Sequence, residues 1–410
     1  MEAIPRVYRQ RWDWVLVAAA LLLLTVGVLT VFSATHIPGN PRHGYFLRHF
    51  LFLGVGFSVC ALCLFSPLRL WEDWSYIGFG ISLFLLVLVL IMGIEHYGAK
   101  RWLQLGPLKF QPSEMAKLSF VAAYARFLSG KRIDLTRPGT LFVALALAVV
   151  PFLLVLKEPD LGTSGAFLAM ALPMLLWAGL PRLTAFLLVS PVLGLVLVHH
   201  WLTWAVFLSL GLVWILRSRL SYVVLAGFLI FHLGLKLGAP QVIEGLEPYQ
   251  QARIASFLDP EADPSGAGYQ GLQSRIALGS GGLFGKGYLG GSQKALAYLP
   301  MQHNDFIFAV IGEEWGFVGA SFVVALFGLL LLRGVHVARL CRTPFGSLLA
   351  VGIVGLIFYH AAVNIAMTMG LFPVTGLPLP FVSYGGTFLV TMLAALGLLM
   401  NVAVHRFDYS

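Results

Sequence analysis

Residues 14–33 read WVLVAAALLLLTVGVLTVFS, twenty consecutive positions without a charged side chain. As a helix this stretch is about 30 Å long, which matches the hydrocarbon core of a bilayer. A surface helix of a soluble protein would carry a polar stripe; this one is apolar all round, so lipid must solvate it. The rest of the 410-residue chain has the same character, with 59% hydrophobic and 11% charged residues, against about a quarter charged in soluble domains. The expected fold is an all-α polytopic membrane protein, one integral membrane domain over 1–410. Further apolar stretches at 47–66, 77–94, 113–129, 140–156, 164–180, 183–199, 201–216, 220–237, 305–332, 347–369 and 385–404 bring the candidate spans to twelve. The count is put at 10–12 because 113–129 and the three crowded stretches between 183 and 237 are the weakest.

That composition excludes a secreted disulfide scaffold, a cytosolic nucleotide enzyme and a nucleic-acid-binding domain, despite the net charge of +9. In a membrane protein, excess Lys and Arg mark cytoplasmic loops. With the N-terminus inside, the inner segments hold fourteen Lys and Arg residues and the short outer segments six. Both termini are therefore expected in the cytoplasm. No cleavable signal peptide is expected, because the first apolar run is long enough to span and lacks a small-residue cleavage site. Cys60 and Cys63 lie in an apolar run and Cys341 in a basic loop, a setting for inert thiols rather than a redox or zinc site.

One segment interrupts the rhythm of spans. Residues 238–304 form a long outer loop rich in Gly, Pro, Gln and charge, yet with aromatics and aliphatics that argue for structure. A shorter outer loop, 95–112, reads as a hairpin at headgroup level. Gly285, Gly287 and Gly290 match a dinucleotide fingerprint literally, but no strand–helix context surrounds them. The seven glycines of 279–291 serve close backbone approach or consecutive turns instead.

Ionisable residues at membrane depth are functional candidates. They are Arg48, Glu114 with Lys117 at i, i+3, Glu158 with Asp160, Asp305 beside His303, and Glu313 with Glu314. All but the last pair fall near the outer surface. Each has a plainer reading: a self-satisfied Glu114–Lys117 pair, a snorkelling Arg48, an Asp160 helix cap, structural acids at 313 and 314, and an interhelical hydrogen-bond pair for His360 and Asn364. Clustered cations with a carboxylate at one depth imply a protein that acts on, or moves, an anionic lipid at the outer face.

Four long motifs sharpen this: GAKRWLQLGPLKFQPSEMAKL (98–118), KEPDLGTS (157–164), FLDPEADPSGAGYQ continuing through QHNDFIFAVIGEEWGFVGA (257–320), and GLFPVTGLPLPFVSYGGT (370–387). Together they closely resemble the SEDS family (shape, elongation, division and sporulation), the RodA/FtsW-type peptidoglycan glycosyltransferases, with PVTGLPLPFVSYGG closer to RodA. The resemblance implies polymerisation of lipid II into glycan strands outside the cytoplasmic (inner) membrane, for cell elongation or division, beside a class B penicillin-binding protein as transpeptidase. It gives Asp305 the catalytic role, with Asn304 and Met301 as departures from the usual motif. It gives substrate-binding roles to Arg48, Arg101, Trp102, Gln111, Glu114, Lys117 and Asp263; Asp160, His303 and Ser383 lie in its other motifs and join that set.

In the implied reaction Asp305 deprotonates the acceptor hydroxyl, which displaces undecaprenyl pyrophosphate from the donor with inversion. Arg48, Arg101 and Lys117 would neutralise the leaving group. A divalent cation, Mg2+ or Mn2+, is a candidate Lewis acid, although no ligand set in the sequence defines a metal site. The expected surroundings of Asp305 are an outward cavity lined by Glu114, Lys117 and Arg48. The family typically has ten spans; residues 183–237 therefore read as carrying two extra helices, peripheral to the catalytic unit. A lipid II flippase is the alternative, and would need a polar route to the inner leaflet.

Overall fold

The structure is a computed structural model that describes residues 12–36, 43–96, 99–105, 108–198, 200–218, 222–245, 248–259, 268–292 and 302–408. Among these residues are fourteen α-helices: α1 (Trp14–Thr35), α2 (His43–Phe65), α3 (Leu68–Met92), α4 (Pro112–Leu128), α5 (Pro138–Lys157), α6 (Leu161–Trp177), α7 (Arg182–Leu197), α8 (Trp201–Arg217), α9 (Tyr222–Glu244), α10 (Pro248–Leu258), α11 (Tyr269–Ser280), α12 (Ile307–Leu340), α13 (Pro344–Thr368) and α14 (Gly386–His405). Every one of the twelve apolar stretches falls on a helix. Seven of the helices are long and apolar enough to cross a membrane, and α6, α7, α8 and the 222–238 part of α9 are shorter apolar helices.

The bundle is organised around α13 and α14, whose most apolar windows are 78% and 83% buried, whereas those of α2, α3, α5 and α12 are 22–28% buried. The outer helices present Leu62, Phe65, Ile91 and Phe142 outward, an apolar exposure that suits lipid and not water. Helix α4 is the exception in composition. Pro112 at its first turn and Arg126 in its last favour a helix, and it buries Ser113, Glu114 and Lys117 against the centre.

Three departures from the expected fold have clear causes. The outer hairpin is a small antiparallel sheet, β1 (Ile94–His96), β2 (Ala99–Leu105) and β3 (Leu108–Phe110), with Ile94 opposite Trp102 and Leu103 opposite Phe110. The fold is thus all-α save for this sheet. The long loop begins later than 238, because α9 runs through Gly238 and Pro240 to Glu244 before stopping. The loop is structured where it is described, containing α10 and α11. The 183–237 region holds α7, α8 and α9, which pack on one another around Phe186, Phe207, Phe228 and His232.

The glycine-rich run finds its partner in α12. That helix is broken at Gly316 (φ 67°, ψ −164°), which strands the carbonyls of Glu313 and Glu314 and the amides of Phe317 and Val318. The loop replaces the missing helical bonds. Lys286 N donates to Glu313 O at 3.0 Å and Gly287 N to Glu314 O at 3.0 Å, while Phe317 N donates to Gly282 O at 2.9 Å and Val318 N to Leu283 O at 3.1 Å. Side chains finish the clamp: Lys286 Nζ lies 2.7 Å from Glu313 Oε1, which also accepts from Ser292 N and Oγ, and Ser33 Oγ donates to Glu314 Oε1 at 2.6 Å. Glu313 and Glu314 are therefore structural acids. Gly285 has φ +79°, and a Cβ there would sit 2.1 Å from Glu314 O. Gly285→Ala is expected to cost about 1–3 kcal/mol through strain and lost backbone bonds, read as a lowered unfolding midpoint in detergent and faster proteolysis within 279–292.

Candidate active site

Asp305 lies in the turn that leads into α12, and that turn is pinned from α13 and from the 374–384 segment. Asn364 Nδ2, on α13, donates to Asp305 O at 2.8 Å and to Leu377 O at 2.7 Å. Ser383 Oγ donates to Asn304 O at 2.6 Å and accepts from Leu379 N at 2.8 Å; Tyr384 N donates to His303 O at 2.9 Å. The proline- and glycine-rich motif thus works as a cradle for the QHND turn. Asp305 Oδ1 is buried and meets no hydrogen-bond partner among the described residues. Gly376, with φ +75°, faces the carboxylate; a Cβ there would be 3.4 Å from Oδ2. Backbone bonds therefore fix this carboxylate, while the side chain is left to meet a substrate hydroxyl.

Burial pushes the Asp305 carboxyl up to about 6; Arg253 opposes this, Asp160 adds to it and Arg101 opposes it. A carboxyl so placed is ionised near neutral pH yet is a stronger base than an exposed one. Arg101, on β2, has its Nε 3.2 Å from Glu158 O, contacts Pro159 O, and pairs with Asp160 Oδ2 at 3.5 Å. Asp160 also caps α6 by accepting from Thr163 N at 3.0 Å. The plain reading of Asp160 as a helix cap thus holds, and its charge is also felt at Asp305. Glu158 is fully buried with both oxygens unpartnered. Burial first, then Asp160, pushes its carboxyl up to about 9 against Arg101, so it is neutral at physiological pH.

Among the described residues no hydrogen bond or ion pair joins Glu114, Lys117 or Arg48 to Asp305. Lys117 is fully buried and donates to Glu114 Oε1 at 2.8 Å and to His360 Nε2 at 3.2 Å. An ammonium out of reach of water takes the carboxylate one turn away on its own helix. His360 and Asn364 share a face of α13 but bond separately, His360 to Lys117 and Asn364 to the Asp305 turn. Arg48 is exposed on α2, and its field acts on Tyr384. His303 is buried, its ring 4.8 Å from Tyr45 and 5.4 Å from Tyr384. Trp102 and Gln111 are half-buried, Trp102 on β2 and Gln111 at the N-cap of α4. Asp263 and Met301 lie outside the described residues.

Sequence reasoning missed Arg253, on α10, and Asn364 as the holder of the turn. Nothing in their spacing singles them out; only the fold brings them to Asp305. Among the described residues no group of three His, Cys, Asp or Glu side chains could hold a metal ion. The donors around Asp305 are Asp160, already committed to a cap and a guanidinium, and the neutral Glu158. Among the described residues these donors do not fit a protein-held Mg2+ or Mn2+.

Comparison with known proteins agrees with this architecture. The family model of cell cycle proteins FtsW, RodA and SpoVE matches residues 13–206 and 183–407. Stage V sporulation protein E of Bacillus subtilis (strain 168) is 37% identical over 398 residues, covering 95% of this chain and 96% of its own length. Peptidoglycan glycosyltransferase MrdB of Escherichia coli (strain K12) is 36% identical over 397 residues, covering 96% of this chain and 95% of its own. A chain from a peptidoglycan synthase complex, solved for its coordination of polymerization and crosslinking, superposes with a TM-score of 0.75 at 31% identity, over 97% of this chain and 99% of that one. The crystal structure of Thermus thermophilus RodA superposes with a TM-score of 0.64 at 28% identity, over 97% and 98%. With near-complete coverage in sequence and in structure, this chain belongs to the FtsW, RodA and SpoVE family of multi-pass membrane proteins.

Proposed function

We propose that this chain is a peptidoglycan glycosyltransferase that polymerises lipid II at the outer face of the bacterial cytoplasmic membrane, with Asp305 as general base. The observation that carries the reading is the Asp305 turn: a half-buried carboxylate in a turn held through its backbone, with its buried Oδ1 without a partner among the described residues. The acceptor hydroxyl attacks the anomeric carbon of the donor sugar and gives its proton to Asp305; the anomeric C–O bond breaks, and its electron pair leaves with the prenyl diphosphate. One base suffices for such an inverting displacement. Both termini face the cytoplasm in this reading, as the Lys and Arg distribution requires. The RodA-like 370–387 motif favours a role in elongation.

The relatives include a protein solved within a polymerising and crosslinking complex. This chain carries no outer Ser-x-x-Lys nucleophile motif, so a class B penicillin-binding protein is the partner that would supply crosslinks. Protein reconstituted with fluorescent lipid II tests the reading. Glycan ladders support it; scrambling of the lipid between leaflets without ladders would overturn it in favour of transport.

A further inference from the structure

Residues 281–292, between α11 and α12, take no part in the Asp305 site, yet they show the apolar exposure of a span rather than of a loop in water. Phe284 is 77% exposed, and Leu283, Tyr288 and Leu289 are exposed with it. The bonds from Phe317 N to Gly282 O and from Val318 N to Leu283 O set them beside two exposed side chains of α12, Phe317 and Val318. The patch continues down α12 to Phe322 and, past the bond from the Tyr288 hydroxyl to Leu29 O, onto Leu29 and Leu22 of α1. The segment's one charged side chain, Lys286, is paired with the buried Glu313.

The two flanking helices measure the depth of this patch. Arg333 of α12 pairs with Asp13, the N-cap of α1, at 2.6 Å. Val318 is fifteen residues from Arg333 and Leu29 sixteen from Asp13, so both stand about 22–24 Å from that ion pair at the helical rise. The hydrocarbon core is about 30 Å thick, and the patch falls inside it, toward the Asp305 side. Ile307, where α12 begins, is eleven residues beyond Val318, which carries the Asp305 turn about 16 Å further, to the water boundary. Non-helical backbone persists at membrane depth only where protein answers its polar groups. The broken turn of α12 at Gly316 does so here, through Lys286 N, Gly287 N, Gly282 O and Leu283 O.

We propose that residues 282–289 form a re-entrant loop seated in the leaflet nearer Asp305, with Leu283, Phe284, Tyr288 and Leu289 against lipid acyl chains. The inference goes beyond the glycosyltransferase reading and does not need it. Acyl chains are the occupant because the patch lies at hydrocarbon depth, continues the apolar sides of both flanking helices and turns its one charge onto Glu313. The loop's backbone bonds hold residues 313–318, so its seat in the leaflet also sets the height of the half of α12 that leads to the Asp305 turn.

The test attaches a nitroxide to Phe284→Cys and, separately, to Leu289→Cys in the full chain, in phosphatidylcholine vesicles. It reads collisions of the label with oxygen, which concentrates in hydrocarbon, and with a water-soluble nickel chelate. Lys100→Cys, exposed on β2, and Leu210→Cys, exposed on α8, give the water and lipid references, and the unsubstituted chain gives the background of Cys60, Cys63 and Cys341. The oxygen-to-nickel ratio at both loop sites should be several-fold above that of Lys100→Cys and should approach that of Leu210→Cys. Both variants should keep the wild-type unfolding midpoint, since each replaces an exposed side chain and leaves the backbone bonds to α12 in place. A ratio equal to that of Lys100→Cys would put the loop in water and overturn the proposal. Low collision with both reagents would mean that protein, such as a second copy of this chain, covers the face, and would overturn it as well. Lipid-like labels in a protein that forms no glycan ladders would sink the glycosyltransferase reading and leave the loop; ladders with water-like labels would do the reverse.

Discussion

Asp305→Asn should lower glycan polymerisation by about 10²–10⁴-fold, the range associated with loss of a general base, while the protein inserts and unfolds as wild type does. The amide keeps the size of the carboxyl but cannot take a proton. Its fold should survive because the bonds that hold the turn are made by Asn364 and Ser383 to backbone carbonyls, and Oδ1 has no partner to lose. Initial rates on lipid II, taken together with the unfolding midpoint in detergent, separate the two effects. Turnover near the wild-type level would remove Asp305 from the chemistry. A collapse of stability with activity would make it a structural acid.

Lys117→Met carries the largest expected effect on stability, about 3–5 kcal/mol, the cost of leaving one partner of a buried pair behind. Glu114 Oε1 loses its ammonium, and Oε2 already has no partner. The double change Glu114→Gln with Lys117→Met should recover most of the loss, because the uncompensated charge is then gone. The measurement is a double-mutant cycle on unfolding midpoints. If the double variant is as unstable as the single one, the pair is not the source of the effect. Activity should follow the same pattern, since Lys117 bonds to His360 on α13, the helix whose Asn364 holds the Asp305 turn.

The two cases show what a sequence can and cannot carry. The spans were legible because lipid demands long apolar runs, and each run became a helix. The QHND turn and the cap at Asp160 were legible because local motifs place them; the Arg101–Asp160 pair, between residues far apart in sequence, was not. The surroundings of Asp305 were not. Depth along a helix is readable, but the direction a side chain faces depends on packing angles between helices. Lys117, expected at the level of Asp305 from its place along the chain, spends its donors on Glu114 and His360. The glycine run was read correctly as a device for close approach, while its partner, the broken turn of α12 at Gly316, is visible only once both backbones are placed. Arg253 had no signal at all, being one cation in a long loop.

The central claim is that Asp305 acts as the base, and the pH dependence of kcat/KM for lipid II polymerisation tests it most directly. Burial holds this carboxyl near pH 6 rather than at the ordinary aspartate value, and only its ionised form can accept the hydroxyl proton. Wild-type kcat/KM should be level above about pH 7 and should fall about tenfold per unit as pH drops below about 6; Asp305→Asn should have no such limb. A wild-type rate that stays level down to pH 5, or a residual Asp305→Asn activity with the same acid limb, would contradict the account.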